Sequence, residues 1–516
     1  MYSNLTTPII CLCLYLGAAT LSLAEISLPA IFGDHMVLQR EQINPVWGRA
    51  TAGQAITVRI DGQQMTTAAD LDGRWKLNLM PMPAGGPYTL EVSGQQTIRF
   101  TDVMVGEVWL CSGQSNMQWP LAQSDGADLE VLTATSSQLR MISIPEVGTQ
   151  QAQEDFKGQW QLSDAKVAAS FSAVGYHFGQ RLQLALGVTV GLIDNAWGGS
   201  AVEAWIPREV LDAYPRYKEF LEVWDAQAAA YTDAKHAACV AQWEAWQAGE
   251  HEGEAPRWPT DLRYGQGRPA NLYNGVLHPI IGYGMRGVIW YQGESNASRA
   301  KQYAHLFPLM ISTWREQWQQ GDFPFYWSQL ADFTAELEGA QQESWWAELR
   351  EAQTKTLDLP NTGQAVIIDC GEGRDIHPRN KRTVADRLVR HALAKTYEYD
   401  LACESPRFAE LTLRDAGVEV RFEHVSSGGL YAFDVAAVKG FDLAGADGIF
   451  HWASAQIIGQ DRIFVMHPKI TEPTALRFGW ADNPVFNLFD RNGLPVTPFR
   501  THVVDGISVD RTAAAP

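Results

Sequence analysis

Apolar and polar residues alternate at both ends of this chain, while in its middle the apolar residues run unbroken. Near the start Ile56, Val58 and Ile60 alternate with polar neighbours, as do Trp75, Leu77 and Leu79. That is the period of strands with one buried face. Asp61-Gly62 and Asp72-Gly73 read as hairpin turns. Residues 25–102 are therefore expected to form a small β-sandwich module. Alternation returns in Val418, Val420 and Phe422, with a turn at Ser427-Gly428-Gly429, so 401–516 reads as a β-rich module. Its stretch 476–501 is dense in aromatics, Asn and Pro.

Between the modules the pattern changes near Met104. Runs 105–111, 188–194, 287–291, 323–330 and 365–369 are predominantly apolar, as suits strands buried on both faces. Helical periodicity lies between them, over 172–186 and 303–318. In the second, Tyr303, Leu306, Phe307, Met310, Ile311 and Trp314 share one face, and Pro308 predicts a kink. Strand–helix alternation predicts an α/β domain over 103–400, a parallel sheet layered between helices. Residues 209–270, rich in Ala, Glu and Trp, interrupt the rhythm as a helical insertion. It reads equally as a structural hairpin or as a wall of the substrate cleft.

Composition narrows the function. The 516 residues are enough for two or three domains, and 46% hydrophobic with 19% charged residues is a globular profile. A net charge of −19 argues against nucleic acid or another polyanion as partner. The first 24 residues hold no Asp, Glu, Lys or Arg, and a short apolar run ends at Ser22-Leu23-Ala24. That reads as a signal peptide over 1–24, cut after Ala24, and predicts a secreted or periplasmic protein. No later stretch is long enough to span a membrane. Cys111, Cys239, Cys370 and Cys403 would remain in the mature chain, without the spacing of a zinc site; an oxidising compartment permits a disulfide whose pairing stays open. The 19 Trp suit sugar faces, although roughly three in four are expected in the core.

Four loops, each just after a predicted buried strand, carry the chemistry. Strand carboxyl ends share one edge of a parallel sheet, and ligands bind there. The first loop, Ser112-Gly113-Gln114-Ser115-Asn116-Met117, can present the Ser115 hydroxyl as nucleophile, although a capping serine is the bland alternative. It is not a Gly-x-Ser-x-Gly elbow, because Met117 replaces the second glycine. The second, Asn195-Ala196-Trp197-Gly198-Gly199-Ser200, can turn a backbone N–H toward an oxyanion, or can be a plain turn. In the third, Gln292-Gly293-Glu294-Ser295-Asn296, Gln292 is a candidate second oxyanion donor, and Glu294 and Asn296 are candidate substrate contacts. Asn296-Ala297-Ser298 is formally a glycosylation sequon, but its place at the site edge argues against a glycan. The fourth, Asp375-Ile376-His377-Pro378, puts a histidine beside a carboxylate ahead of a helix, which makes His377 a candidate base.

Together the blocks GEVWLCSGQSNM, WGGS, WYQGESN, DIHPRNK and the late FGWADNP resemble the SGNH hydrolase superfamily, and within it the sialate O-acetylesterase-like carbohydrate esterases. The resemblance runs through the whole mature chain and is most specific in GQSNM and QGESN. It implies a three-layer, flavodoxin-like catalytic domain with flanking β-sandwich modules. It implies Ser115 as nucleophile, His377 as base, and an oxyanion hole from Ser115, Gly198 (with Gly199 a close rival) and Gln292, which stands where many SGNH enzymes use Asn. Asp and His are spaced DxH here rather than DxxH, so Asp375, Glu372 or a backbone carbonyl can orient His377. The implied activity is two-step release of acetate from O-acetylated sugars, without metal or organic cofactor. Sialic acids, and hemicelluloses such as xylan or xyloglucan, are the substrate classes; Arg374 and Arg379 are the basic residues near the His block. A glycoside hydrolase using Glu294, or a non-catalytic sugar-binding protein, are the rival readings.

Overall fold

In the computed structural model the described residues are 25–249, 256, 258–415, 417–504 and 507–509. The expected signal peptide, 1–24, lies outside them. The molecule is a mixed α/β protein, with one large mixed sheet and further β-sheets toward the C-terminus.

The large sheet is organised by one long strand, β1 (Thr97–Gly113). Its first part pairs with Gly85–Ser93 and Val37–Gln39 of the N-terminal region. Its last part, buried from Val103 to Gly113, enters the parallel part of the sheet. The change of character near Met104 thus falls inside a continuous strand. The other parallel strands are β2 (Ser136–Ser143), β3 (Val190–Asp194), β4 (Gly287–Tyr291), β5 (Phe325–Ser328) and β6 (Thr362–Ala365). They lie in the order β6-β5-β4-β1-β3-β2, and Gln161–Ser163 adds an antiparallel edge.

Side chains of these strands alternate between two cores, which is why the runs read as unbroken. Val108, Leu110, Val288, Trp290, Phe325 and Trp327 join one core with Leu306, Met310 and Trp314 of α3 (Ala300–Trp318). Trp109, Cys111, Ile289, Tyr291 and Tyr326 join the other, with Phe178 of α2 (Ala173–Leu186) and Leu388 of α5 (Lys381–His391). Ser172 caps α2 by accepting from Gly175 N–H at 3.0 Å, and Gly187, at φ 67°, ends it. Helix α3 continues through Pro308.

Two expectations shift. The run 365–369 is a strand only up to Ala365: Val366, Ile367 and Ile368 stay buried after leaving the ladder, and Arg387 Nη1 donates to Val366 O at 2.7 Å. Strand β2 was not anticipated, because buried Arg140 interrupts its apolar run; that guanidinium pairs with Asp102 at 3.0 Å.

The C-terminal sheets share their own core, including Leu411, Val418, Phe441 and Phe478. The FGWADNP block ties this region to the large sheet. Fully buried Arg350, on α4 (Trp345–Lys355), donates to the carbonyls of Leu330, Ala331, Ala481 and Asp482 at 2.6–3.0 Å. Among the described residues the four cysteines form no disulfide, and no helix is long and apolar enough to cross a membrane.

Candidate active site

The strand β1 ends against its neighbour β4 at Gly113. Here φ is 136°, and a Cβ would stand 2.2 Å from Tyr291 O, so only glycine permits the turn. Trp197 N–H and Ser200 Oγ–H of the second loop donate to Gly113 O at 3.0 and 3.3 Å. The Gln114 N–H donates to Tyr291 O at 2.9 Å, and its side-chain oxygen accepts from Gly293 and Ser295 N–H. Three of the four loops therefore meet around one glycine. A short helix, α1 (Ser115–Gln118), starts there with Ser115 as its first residue.

The fourth loop brings His377 Nε2 to 2.8 Å from Ser115 Oγ. Asp375 Oδ1 lies 3.3 Å from the other ring nitrogen and accepts from the His377 backbone N–H at 2.9 Å. Glu372 is directed elsewhere: it takes the N–H and guanidinium of Arg379 at 2.9–3.2 Å, which lowers its pKa. Of the alternatives for orienting His377, Asp375 is thus the carboxylate beside the ring. Trp119 stacks on the imidazole at 5.1 Å and 16°. Burial lowers the His377 pKa below 6.5, opposed by Asp375 and reinforced by the charge of Lys381.

Asn116 ties the loops together. Its amide donates to Glu294 Oε1 at 2.6 Å and to Ile376 O at 3.0 Å, and its oxygen accepts from Lys381 Nζ. Lys381, the first residue of α5, is fully buried, with Nζ 5.7 and 5.4 Å from the ring centres of Trp119 and Tyr291. Burial brings its pKa from 10.5 down to about 7. Burial also raises that of Glu294, whose Oε2 has no hydrogen-bond partner.

A cleft of about 760 Å³ opens over Ser115 and His377. Gly198, Gly199, Trp197 and Glu294 line one part of it. The Gly198 N–H donates to Gln118 Oε1 at 2.9 Å, while Gln118 Nε2 donates to Glu146 at 2.6 Å. Gly199, at φ 72°, is where Gln266 approaches closely: a Cβ would lie 3.0 Å from its Nε2. Residues 209–270 contribute the opposite side through His236, Trp258, Asp261, Tyr264 and Gln266. The insertion is a cleft wall.

Two sequence-predicted residues lie elsewhere. Gln292 is fully buried, and its Nε2 donates to Ser200 O at 3.1 Å and Asn296 Oδ1 at 2.7 Å. The Asn296 oxygen also accepts from Val202 N–H at 3.0 Å, so the Gln292 atom facing it has to be the amide nitrogen. Both hydrogens of that nitrogen are engaged within the protein. Asn296 is likewise fully buried, and its Nδ2 donates to Glu203 at 2.9 Å. The same burial leaves its amide unavailable to a glycan.

A family model described as carbohydrate esterase, sialic acid-specific acetylesterase, matches residues 105–258 and 260–394, over half of the chain. The chain belongs to this family of carbohydrate esterases. The esterase is 32% identical to the sialate O-acetylesterase of Rattus norvegicus over 422 residues, 72% of this chain and 74% of that protein. It is 32% identical to the Homo sapiens sialate O-acetylesterase over 416 residues, 72% of each. A carbohydrate acetylesterase of Xanthomonas citri with a crystal structure superposes with a TM-score of 0.79 at 38% identity, covering 92% of this chain and 99% of that one.

Four further residues of the esterase's site, Asn116, Gln118, Trp119 and Lys381, escaped sequence reasoning. Asn116 and Lys381 stand inside the specific blocks GQSNM and DIHPRNK, which was the available signal.

Proposed function

We propose that this carbohydrate esterase releases acetate from O-acetylated sugars through a serine acyl-enzyme. The 2.8 Å contact between Ser115 Oγ and His377 Nε2 carries the proposal. His377 takes the hydroxyl proton as Ser115 attacks the acetyl carbonyl, then gives it to the departing sugar oxygen. Water, activated by the same imidazole, releases acetate. Asp375 holds the ring so that Nε2 faces the serine as acceptor. The N–H groups of Ser115 and Gly198 receive the oxyanion. In the free enzyme the Gln118 amide oxygen sits on Gly198 N–H, where an acyl oxygen takes its place. Glu294 faces the substrate's hydroxyls.

The catalytic region fits a three-layer, flavodoxin-like domain over 103–400, between β modules at 25–102 and 401–516. Support comes from the order of β3, β1, β4, β5 and β6, which is 2-1-3-4-5 once the β2 edge is set aside. Glu146 lines the cleft without a cation partner among the described residues, beside Asp261, which pairs with Arg263, and Glu294. The Glu146 charge favours a neutral acetylated glycan, such as a hemicellulose, over a sialic acid with its own carboxylate.

Acetate release from acetylated xylan, acetylated sialic acid and 4-nitrophenyl acetate, with Ser115→Ala alongside, tests the mechanism. Turnover should fall by at least about 10³-fold in the folded variant. Equal turnover would remove Ser115 from the chemistry.

A further inference from the structure

A second cavity, of about 600 Å³, lies away from Ser115 on the N-terminal β region. Its size is that of a small-molecule pocket. One wall is the paired strands Asn44–Arg49 and Arg74–Leu79; the other comes from residues 154–155 and 278–281. Two indoles line it. Trp47 is half-buried, and Trp75 is buried with no acceptor for its indole N–H.

The charged groups around the indoles are held in place before any ligand arrives. Arg49 and Arg74 both clamp the Glu154 carboxylate, with Arg49 Nε donating at 2.8 Å. Asp155 Oδ1 accepts the Ala30 and Phe156 N–H groups, each at 2.7 Å. His278 donates from Nδ1 to Gln153 O at 2.6 Å, which leaves Nε2 as its acceptor nitrogen. Arg49, Arg74 and Lys76 balance Asp70, Glu154 and Asp155 in the lining. A site for phosphate or a carboxylate would carry uncompensated cations. The half-buried Trp47 indole beside internally neutralised polar groups matches a neutral pyranose, which presents C–H faces and hydroxyl edges.

We infer that this cavity is a non-catalytic site for a neutral glycan, taking a segment of the same polymer that is deacetylated at Ser115. The inference rests on the esterase reading above. One segment connects the two sites: Glu146 lines the catalytic cleft and Glu154 the second cavity. Eight residues at full extension separate them by at most about 29 Å along that segment. Holding one stretch of polymer there raises the effective concentration of its acetyl groups at Ser115.

The test compares wild type, Trp47→Ala and Lys76→Glu, full length, on acetylated xylan, acetylated xyloglucan and 4-nitrophenyl acetate. Lys76 is exposed, so its variant covers the case in which Trp47→Ala fails to fold. Xylohexaose and cellohexaose are titrated into the Ser115→Ala protein with and without each change. Expected are a KM for the better polymer raised about tenfold, weaker hexaose binding, and unchanged turnover of 4-nitrophenyl acetate. Unchanged polymer KM and hexaose binding in both variants would overturn the site. So would a wild type that cleaves 4-nitrophenyl acetate but neither polymer, an outcome that leaves the esterase chemistry standing. Failure on all three esters would instead remove that chemistry.

Discussion

Replacing Lys381 with methionine should make the protein more stable and the enzyme worse. Lys381 is fully buried, with Asn116 Oδ1 accepting from its ammonium and aromatic rings beside it. Burial lowers its pKa from 10.5 to about 7, against the upward pull of Glu294, Asp375 and Glu372. Between pH 7 and 10.5 the unfolded chain therefore carries a proton that the folded chain has released. Stability rises with pH across that window, and below it the buried ammonium is a full burden. Bringing the group from 10.5 to about 7 costs the folded state on the order of 5 kcal/mol at pH 6. Methionine of similar length removes that cost but leaves Asn116 Oδ1 unpaired, worth about 1–3 kcal/mol. The net expectation at pH 6 is a gain of roughly 2–4 kcal/mol, vanishing or reversing by about pH 10. Turnover should fall at the same time, because Asn116 also holds Ile376 O beside the base. Scanning calorimetry from pH 6 to 10, beside acetate release, measures both. A variant less stable than wild type at pH 6, or a difference that ignores pH, would refute the reasoning.

Two other expectations concern His377 and the buried amide of Gln292. Because burial depresses His377 and only its neutral form can accept the serine proton, kcat/KM should rise with pH through a value below 6.5; a pH profile with its acid limb at or above 6.5 would contradict this. Gln292→Ala should lower the melting temperature through the lost bonds to Ser200 and Asn296. The folded variant should lose less than the roughly 10²–10³-fold in kcat expected for an oxyanion donor, and a larger loss at unchanged stability would restore the catalytic role.

Strands whose burial is uniform were legible: 287–291 was read with the bounds the structure has. The helix read at 172–186 starts one residue later, because Ser172 caps it. Strand β2 was not legible, because a buried arginine whose partner lies in another element looks polar in one dimension. At the site, the structure brings together Ser115 and His377, which the sequence had placed in separate loops. The fate of an amide could not be read the same way. Gln292 faces inward because Val202 N–H fixes the orientation of Asn296, a dependence invisible in either residue alone. Lys381 and Asn116 are 265 positions apart and acquire their roles only from each other.

The seventeen residues of Thr97–Gly113 also govern how this protein can be taken apart. Ser115, two residues beyond the far end of a strand whose near end is stitched to Gly85–Ser93, is joined to the N-terminal region by that one continuous strand. A chain begun at residue 103 would sever a shared ladder and expose the edge of the strand that aims Ser115. The N-terminal β region works as a splint for the sheet that carries Ser115.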